Sequence, residues 1–248
     1  MCVLEGPDLV AAALDSGVEF EALYVDAAAT DHPATSETVA SAAKAGVRVF
    51  ALASGVLEKI ADVSTPQPLL AAVRFAITPV TAIEVQGLIL VLHDVRDPGN
   101  AGTIIRSADA AGVSAVVFTG QSVDPFNPKT LRATAGSIFH LPVAVSTFDE
   151  AMQHFVAAGA KTFATVVRGG VDHRRVDFAK AAVVVIGNEA DGLDAVTITK
   201  CQSSVSIAMA GRNESLNAGV AASLVAFEAL WQRQDANGAP PPPSLTGT

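Results

Sequence analysis

The stretch "VVVIGNEADGL" (183–193) places four β-branched apolar residues in a row and then three polar side chains, Asn188, Glu189 and Asp191, between Gly187 and Gly192. An apolar run without alternation suits a strand buried on both faces, the normal state of a parallel sheet covered by helices. In such sheets ligands bind in the loops beyond the carboxyl ends of the strands. Glu189 stands directly beyond such an end, where it can bind a ligand amine or cap a helix, and the two glycines can turn the chain.

Working outward, "LILVL" (88–92), "VSAVVF" (113–118), "TFATVV" (162–167) and "SVSIAM" (204–209) have the same short, near-continuous apolar character, separated by helical or loop segments. Together with "AVVVI" (182–186) they predict an α/β domain with a mostly parallel sheet over 88–234. Its last helix carries Leu216, Val220, Leu224, Phe227 and Trp231 at spacings of three and four. That stripe is expected to bury one face against the sheet or against another subunit. Beyond it, 235–248 is rich in proline and is expected to be a disordered tail.

Residues 1–76 alternate helix and strand signals in short units. In "EGPDLVAAALDSG" (5–17), Pro7 sits at a plausible first helical position and Gly17 at the stop, while "FEALYV" and "VRVFAL" read as strands around an Ala-rich helix. Residues 77–87, with Pro79 and no long period, read as a linker.

Half of the 248 residues are apolar, enough for a sizeable core. No run reaches the roughly 20 apolar residues of a membrane span, and the first residues lack the flanks of a signal peptide, so a cytoplasmic protein with no membrane partner is expected. Cys2 and Cys201 form no C-x-x-C pattern and the five histidines no metal-type pairs, so no metal site is expected. A formal charge of −9 excludes wholesale coating of nucleic acid, which depends on many cations releasing counterions. Any such contact must be local. Candidates are Arg96 with Arg106, Lys129 with Arg132, the Arg168/Arg174/Arg175 group and Arg212.

Two further segments gather polar residues near strand ends. In "HDVRDPGNAGTIIRSADAAG" (93–112), Asn100 is a candidate cap for the helix that follows. There Ile104, Ala108 and Ala111 form the buried face, and Arg106 points away from it, free to reach a ligand. In "AGRNESLNAGVAAS" (210–223), Ser215 and Asn217 stand at the start of the last helix, and capping alone does not account for all of them. The chain has no G-x-x-x-x-G-K-[ST] loop, no G-x-G-x-x-G and no G-x-S-x-G, which disfavours P-loop, hydride-transfer and serine-nucleophile chemistry.

Taken together, "DVRDPGNAGTIIRSADAAG", "VVVIGNEADGL" and "VSIAMAGRNESLNAGVAASLVAFE" resemble, in order, the three motifs of the SpoU (TrmH-type) RNA ribose 2′-O-methyltransferases. "RATAGSIFHLPV" (132–143) resembles that family's linking segment, and the front of the chain resembles the small substrate-binding domain of its two-domain members. Members with this front begin with a basic segment before the "EG" stretch, whereas four residues precede Glu5 here.

The resemblance implies a SPOUT fold with a deep C-terminal trefoil knot, a homodimer, and S-adenosylmethionine bound by the knot's loops. It implies catalytic roles for Asn100, Arg106, Glu189, Ser215 and Asn217. Thr165, Gly187, Asn188, Glu189, Ile207, Met209 and Leu216 are the implied cofactor-binding residues. Arg96, Lys129, Arg132 and Arg212 are the expected RNA contacts, and the implied substrate is structured RNA, ribosomal RNA of the large subunit before tRNA. Because a guanidinium keeps its proton in proteins, Arg106 is expected to bind phosphate and polarise the 2′-hydroxyl, not to act as a base. The alternative is a non-catalytic RNA-binding or ribosome-assembly protein on the same fold.

Overall fold

The computed structural model describes residues 1–30, 32–60, 67–212, 214–236 and 238. Two sheets organise them. The first half-chain runs β1 (Cys2–Glu5), α1 (Pro7–Asp15), β2 (Glu19–Asp26), α2 (Pro33–Lys44), β3 (Val49–Leu52), α3 (Val56–Ile60) and β4 (Leu69–Arg74). Its strands lie in the order β1-β4-β2-β3, with β4 antiparallel to both neighbours and β2 parallel to β3. Pro7 opens α1, where its missing N–H costs nothing. Gly17, at φ 68°, closes it, and the amides of Gly17 and Val18 return to the carbonyls of Leu14 and Ala13.

The second part runs β5 (Leu88–His93), α4 (Pro98–Ala110), β6 (Ala115–Thr119), α5 (Pro128–Thr134), β7 (Val143–Val145), α6 (Phe148–Ala157), β8 (Lys161–Thr165), β9 (Val171–Asp172), β10 (Ala182–Ile186), α7 (Ala195–Thr199), β11 (Ser203–Ser206) and α8 (Ala218–Ala236). Its seven strands pair in parallel throughout, in the order β7-β6-β5-β10-β8-β11-β9. Every residue of β5 from Leu88 to Leu92, and every residue of β6 and β10, is buried. That is the two-sided burial which the uninterrupted apolar runs require.

Two clusters of buried side chains follow, one on each face of the large sheet. One contains Leu88, Leu90 and Leu92 and continues into Leu4, Leu23 and Val73 of the small sheet. The other contains Ile89, Val91 and Phe155. The alternation of β5 residues between them is the period-2 pleat of a strand. The two parts of the chain also meet through charge, because Arg132 on α5 forms an ion pair with Glu5, whose side chain is only 7% exposed.

Four sequence expectations change. The stripe on the last helix does not face the sheet: α8 buries Ala218, Gly219, Ala222, Val225, Ala226 and Ala229, while Val220, Leu224 and Trp231 are 47%, 40% and 55% exposed. Small residues face inward because α8 packs closely on α4; of the stripe, Phe227 is half-buried against the core and Leu216 lines a cavity, while the other three are left on the outside. The strand expected over 204–209 ends at Ser206, since Ile207 and Met209 turn into a cavity. Strands β1 and β4 were not anticipated. Of the expected tail, Asp235 and Ala236 finish α8, and the rest apart from Gly238 lies outside the described residues.

Candidate active site

Helix α4 begins with Asp97, not Asn100, as its N-cap. The Asp97 carboxylate accepts the Asn100 backbone N–H at 2.8 Å, and Pro98 occupies the first turn. An aspartate followed by proline at the first helical position is a strong start signal, and this pairing is readable in the sequence. Its consequence is functional. With the cap supplied by Asp97, the Asn100 side chain is released to point out of the helix.

That side chain joins the three motifs. Asn100 Nδ2 donates to Glu189 Oε1 at 3.0 Å, and Asn217 Nδ2 donates to Asn100 Oδ1 at 2.8 Å. Asn217 Oδ1 in turn accepts the Val220 N–H at 3.2 Å, capping α8. The chain of donors ends on the Glu189 carboxylate, which also lies 3.4 Å from the Asp97 N–H. Each amide is oriented by its neighbours, so the network has a single consistent polarity.

The loop that carries Glu189 is held as tightly. Asn188 and Gly192 exchange backbone hydrogen bonds at 3.1 and 3.0 Å, and Asn188 Oδ1 accepts the Ala190 N–H at 2.8 Å. Asn188 Nδ2 donates to the Asp94 carbonyl at 2.9 Å. A Cβ on Gly187 would stand 2.5 Å from the Gly192 carbonyl carbon, so only glycine permits this turn. Asp94 itself holds a positive φ of 58°, uncommon outside glycine, and its carboxylate accepts the Gln121 N–H at 2.5 Å. No sequence signal pointed to Asp94.

A cavity opens beyond β8, β10 and β11, at the carboxyl ends of the strands where ligands bind in such sheets. All the expected cofactor residues, Thr165, Gly187, Asn188, Glu189, Ile207, Met209 and Leu216, line it, together with Ser215. Ala221 and Val225 of α8 form a wall that sequence reasoning missed, because they looked like ordinary helix interior. Among the described residues, the lining includes the acidic Glu189 and Asp191 and no Lys, Arg or His. A phosphate-bearing cofactor would be repelled there, whereas a ligand with ammonium and sulfonium charges and an apolar ring system fits both the charge and the greasy walls. Among the described residues, no group of three or more His, Cys, Asp or Glu could hold a metal ion.

Arg106 lies on α4, exposed and outside the cavity lining, without a hydrogen bond or ion pair to any described residue. Arg96, Lys129 and Arg212 are likewise exposed. Arg132 departs from expectation: it is engaged by the buried Glu5 and lies at the junction of the two sheets. In the Arg168/Arg174/Arg175 group, Arg174 is committed to Asp172 at 2.7 Å, which holds that carboxyl well below the usual carboxylate range.

A parallel sheet with a cavity at its carboxyl rim, beside an Asn–Glu–Asn network drawn from three separated segments, places the chain among α/β proteins that hold a ligand beyond their strand ends. The chain belongs to the SpoU rRNA methylase family, whose profile matches residues 87–227; residues 1–71 match the MRM3-like substrate binding domain. Among its relatives is the 23S rRNA (guanosine(2553)-2'-O)-methyltransferase RlmP of Bacillus subtilis, 32% identical over 91% of this chain and 86% of the relative. The 23S rRNA (uridine(2479)-2'-O)-methyltransferase of Streptomyces viridochromogenes is 40% identical over 55% of this chain and 50% of its own length. Of solved structures, the AdoMet-bound rRNA methyltransferase from Sinorhizobium meliloti superposes with a TM-score of 0.79 at 34% identity, covering 92% of this chain and 86% of that one. The SpoU methyltransferase AviRb from Streptomyces viridochromogenes, in complex with AdoMet, gives 0.82 at 29% identity, covering 93% and 89%.

Proposed function

We propose that the protein is an S-adenosylmethionine-dependent enzyme that methylates a ribose 2′-hydroxyl in ribosomal RNA of the large subunit. The observation that carries this reading is the Glu189–Asn100–Asn217 network beside an acidic, phosphate-repelling cavity. Membership of the SpoU rRNA methylase family, and relatives named as 23S rRNA 2′-O-methyltransferases, support it.

S-adenosylmethionine supplies a methyl group already activated by its sulfonium. The task left to the chain is to bind it, to align the 2′-oxygen with the methyl carbon and to ease loss of the hydroxyl proton. The apolar residues Ile186, Val205, Ile207 and Leu216 suit the adenosine, with Thr165 and Met209 also in the lining and Gly187 keeping the loop backbone close. Glu189 and Asp191 set a negative field that favours a cationic ligand. Asn100 and Asn217 hold the Glu189 carboxylate in place, and Ser215 contributes a hydroxyl beside them.

Arg106 stands six residues after Asn100 on the same helix, and no described residue pairs with it. Its planar fork binds the target's phosphate and polarises the 2′-hydroxyl, so that the oxygen attacks as its proton leaves to water. Arg96, Lys129 and Arg212 supply further phosphate contacts. The exposed Val220, Leu224 and Trp231 of α8 form an apolar face suited to a second copy of the chain, and threading of the C-terminal segment into a trefoil knot belongs to the same reading.

The test is calorimetric titration with S-adenosylmethionine and S-adenosylhomocysteine, followed by transfer of labelled methyl to a large-subunit rRNA transcript. Micromolar binding near one per chain and alkali-resistant label at one nucleotide are expected. Binding of RNA without cofactor binding or methyl transfer would instead favour the assembly-protein alternative.

A further inference from the structure

A second cavity, with about 710 Å³ of empty space, opens at the carboxyl ends of β6 and β7. Ile77, Phe118, Gly120, Asp124, Phe126 and Val145 are among its walls. In the sheet order β7-β6-β5-β10-β8-β11-β9, the first cavity lies over β10, β8 and β11, and this one over β7 and β6. Strand β5, which leads into Asp94, Asn100 and Arg106, runs between them.

The two cavities are physically joined through that loop. Val95 N–H donates to Ser122 Oγ at 3.0 Å, and Val123 N–H donates to the Val95 carbonyl at 2.9 Å. Gln121 N–H donates to the Asp94 carboxylate, and the Asp94 carbonyl is in turn held by Asn188 of the Glu189 loop. One continuous rim therefore carries a cofactor cavity, a catalytic loop and then an aromatic-walled cavity.

We infer that the second cavity receives an unpaired nucleobase of the substrate RNA, a subsite that rests on the methyltransferase reading above. Asn100 follows β5, between the cavity over β10 and the cavity over β6, so a ribose placed there has the second cavity on the side away from the methyl donor. Phe126 is half-buried against the edge of Phe75 at a centroid distance of 5.8 Å, presenting a fixed ring for stacking. Ser122 and Thr119 are occupied by the Leu92 carbonyl. Asp124 gives one oxygen to the Phe126 N–H at 2.8 Å and keeps the other for an N–H on a base's pairing edge. Arg96 follows Val95 directly, and Lys129 lies three residues beyond Phe126; both are exposed and suited to flanking phosphates.

Val145, 50% exposed on edge strand β7, allows the cavity to be filled without touching the core. Val145→Trp is expected to weaken binding of a large-subunit rRNA transcript about tenfold, the scale of one stacked base. Its S-adenosylmethionine affinity and melting temperature should match wild type. Wild-type RNA affinity in this variant overturns the subsite. If V145W melts early, Asp124→Asn, which keeps the acceptor for Phe126, is judged by the same criterion. Methyl transfer by the wild type is scored separately. A wild type that binds the transcript without methylating it sinks the catalytic reading and leaves the V145W comparison to decide the subsite, and one that binds no rRNA overturns both.

Discussion

Asn100 and Glu189 are joined at 3.0 Å by a hydrogen bond from an amide near the start of α4 to a carboxylate on the loop after β10. Because Asn217 donates to the other side of the same amide at 2.8 Å, Asn100 cannot flip without breaking both bonds. Asn100→Asp keeps the shape but sets two carboxylates face to face and removes a charge-assisted hydrogen bond, each such bond contributing roughly 1.5–3 kcal/mol. The expected outcome is a fall in kcat/KM of about 10- to 100-fold, measured as labelled methyl incorporated into rRNA. Wild-type turnover would mean that the network is only a helix cap.

Arg106 offers a sharper contrast, because no described residue shares its charge. Arg106→Lys retains the charge and loses the planar fork, so a group that binds phosphate and steers a hydroxyl together should fail. Single-turnover methylation should drop by about 10²-fold or more, the usual cost of losing a transition-state donor, while S-adenosylmethionine titrates as before. Full activity in this variant would remove Arg106 from the chemistry.

The residues of the site were more legible than the bonds between them. The uninterrupted runs at 88–92 and 182–186 mark β5 and β10 because two-sided burial leaves no polar alternation to misread. By contrast β1, only Cys2–Glu5, and β4, Leu69–Arg74, are defined by their pairing with each other, which no local pattern encodes. The spacing of the α8 stripe marks a helical face but leaves its partner open between the sheet and another subunit, since helix spacing reveals a face and not what covers it. The sequence offers Asn100 both as a cap and, by resemblance, as a catalytic residue; the bond that turns it to Glu189 joins positions 89 residues apart and no local pattern encodes it.

Gly187 tests the cofactor loop without removing any functional side chain. Gly187→Ala would bring a methyl within 2.5 Å of the Gly192 carbonyl carbon, backbone against backbone, with no flexible atom to yield. The loop must shift, taking Glu189 with it. Affinity for S-adenosylmethionine by calorimetry should fall about 5- to 150-fold, as overpacking costs about 1–3 kcal/mol. Unchanged affinity would show that the loop tolerates another path.

Arg132 separates two roles that the sequence left joined. As an RNA contact, its loss would weaken binding and leave stability alone. As the partner of Glu5, its loss strands a buried carboxylate between the two sheets. Arg132→Met should therefore lower stability by about 1–3 kcal/mol, at the low end of what breaking a buried pair costs because the arginine is itself partly exposed. For a chain of this size that is a fall in Tm of about 2–10 °C in scanning calorimetry. Glu5→Gln, which leaves an oxygen for the guanidinium to donate to, should cost less. A Tm equal to wild type together with weakened rRNA binding would return Arg132 to the RNA-contact role.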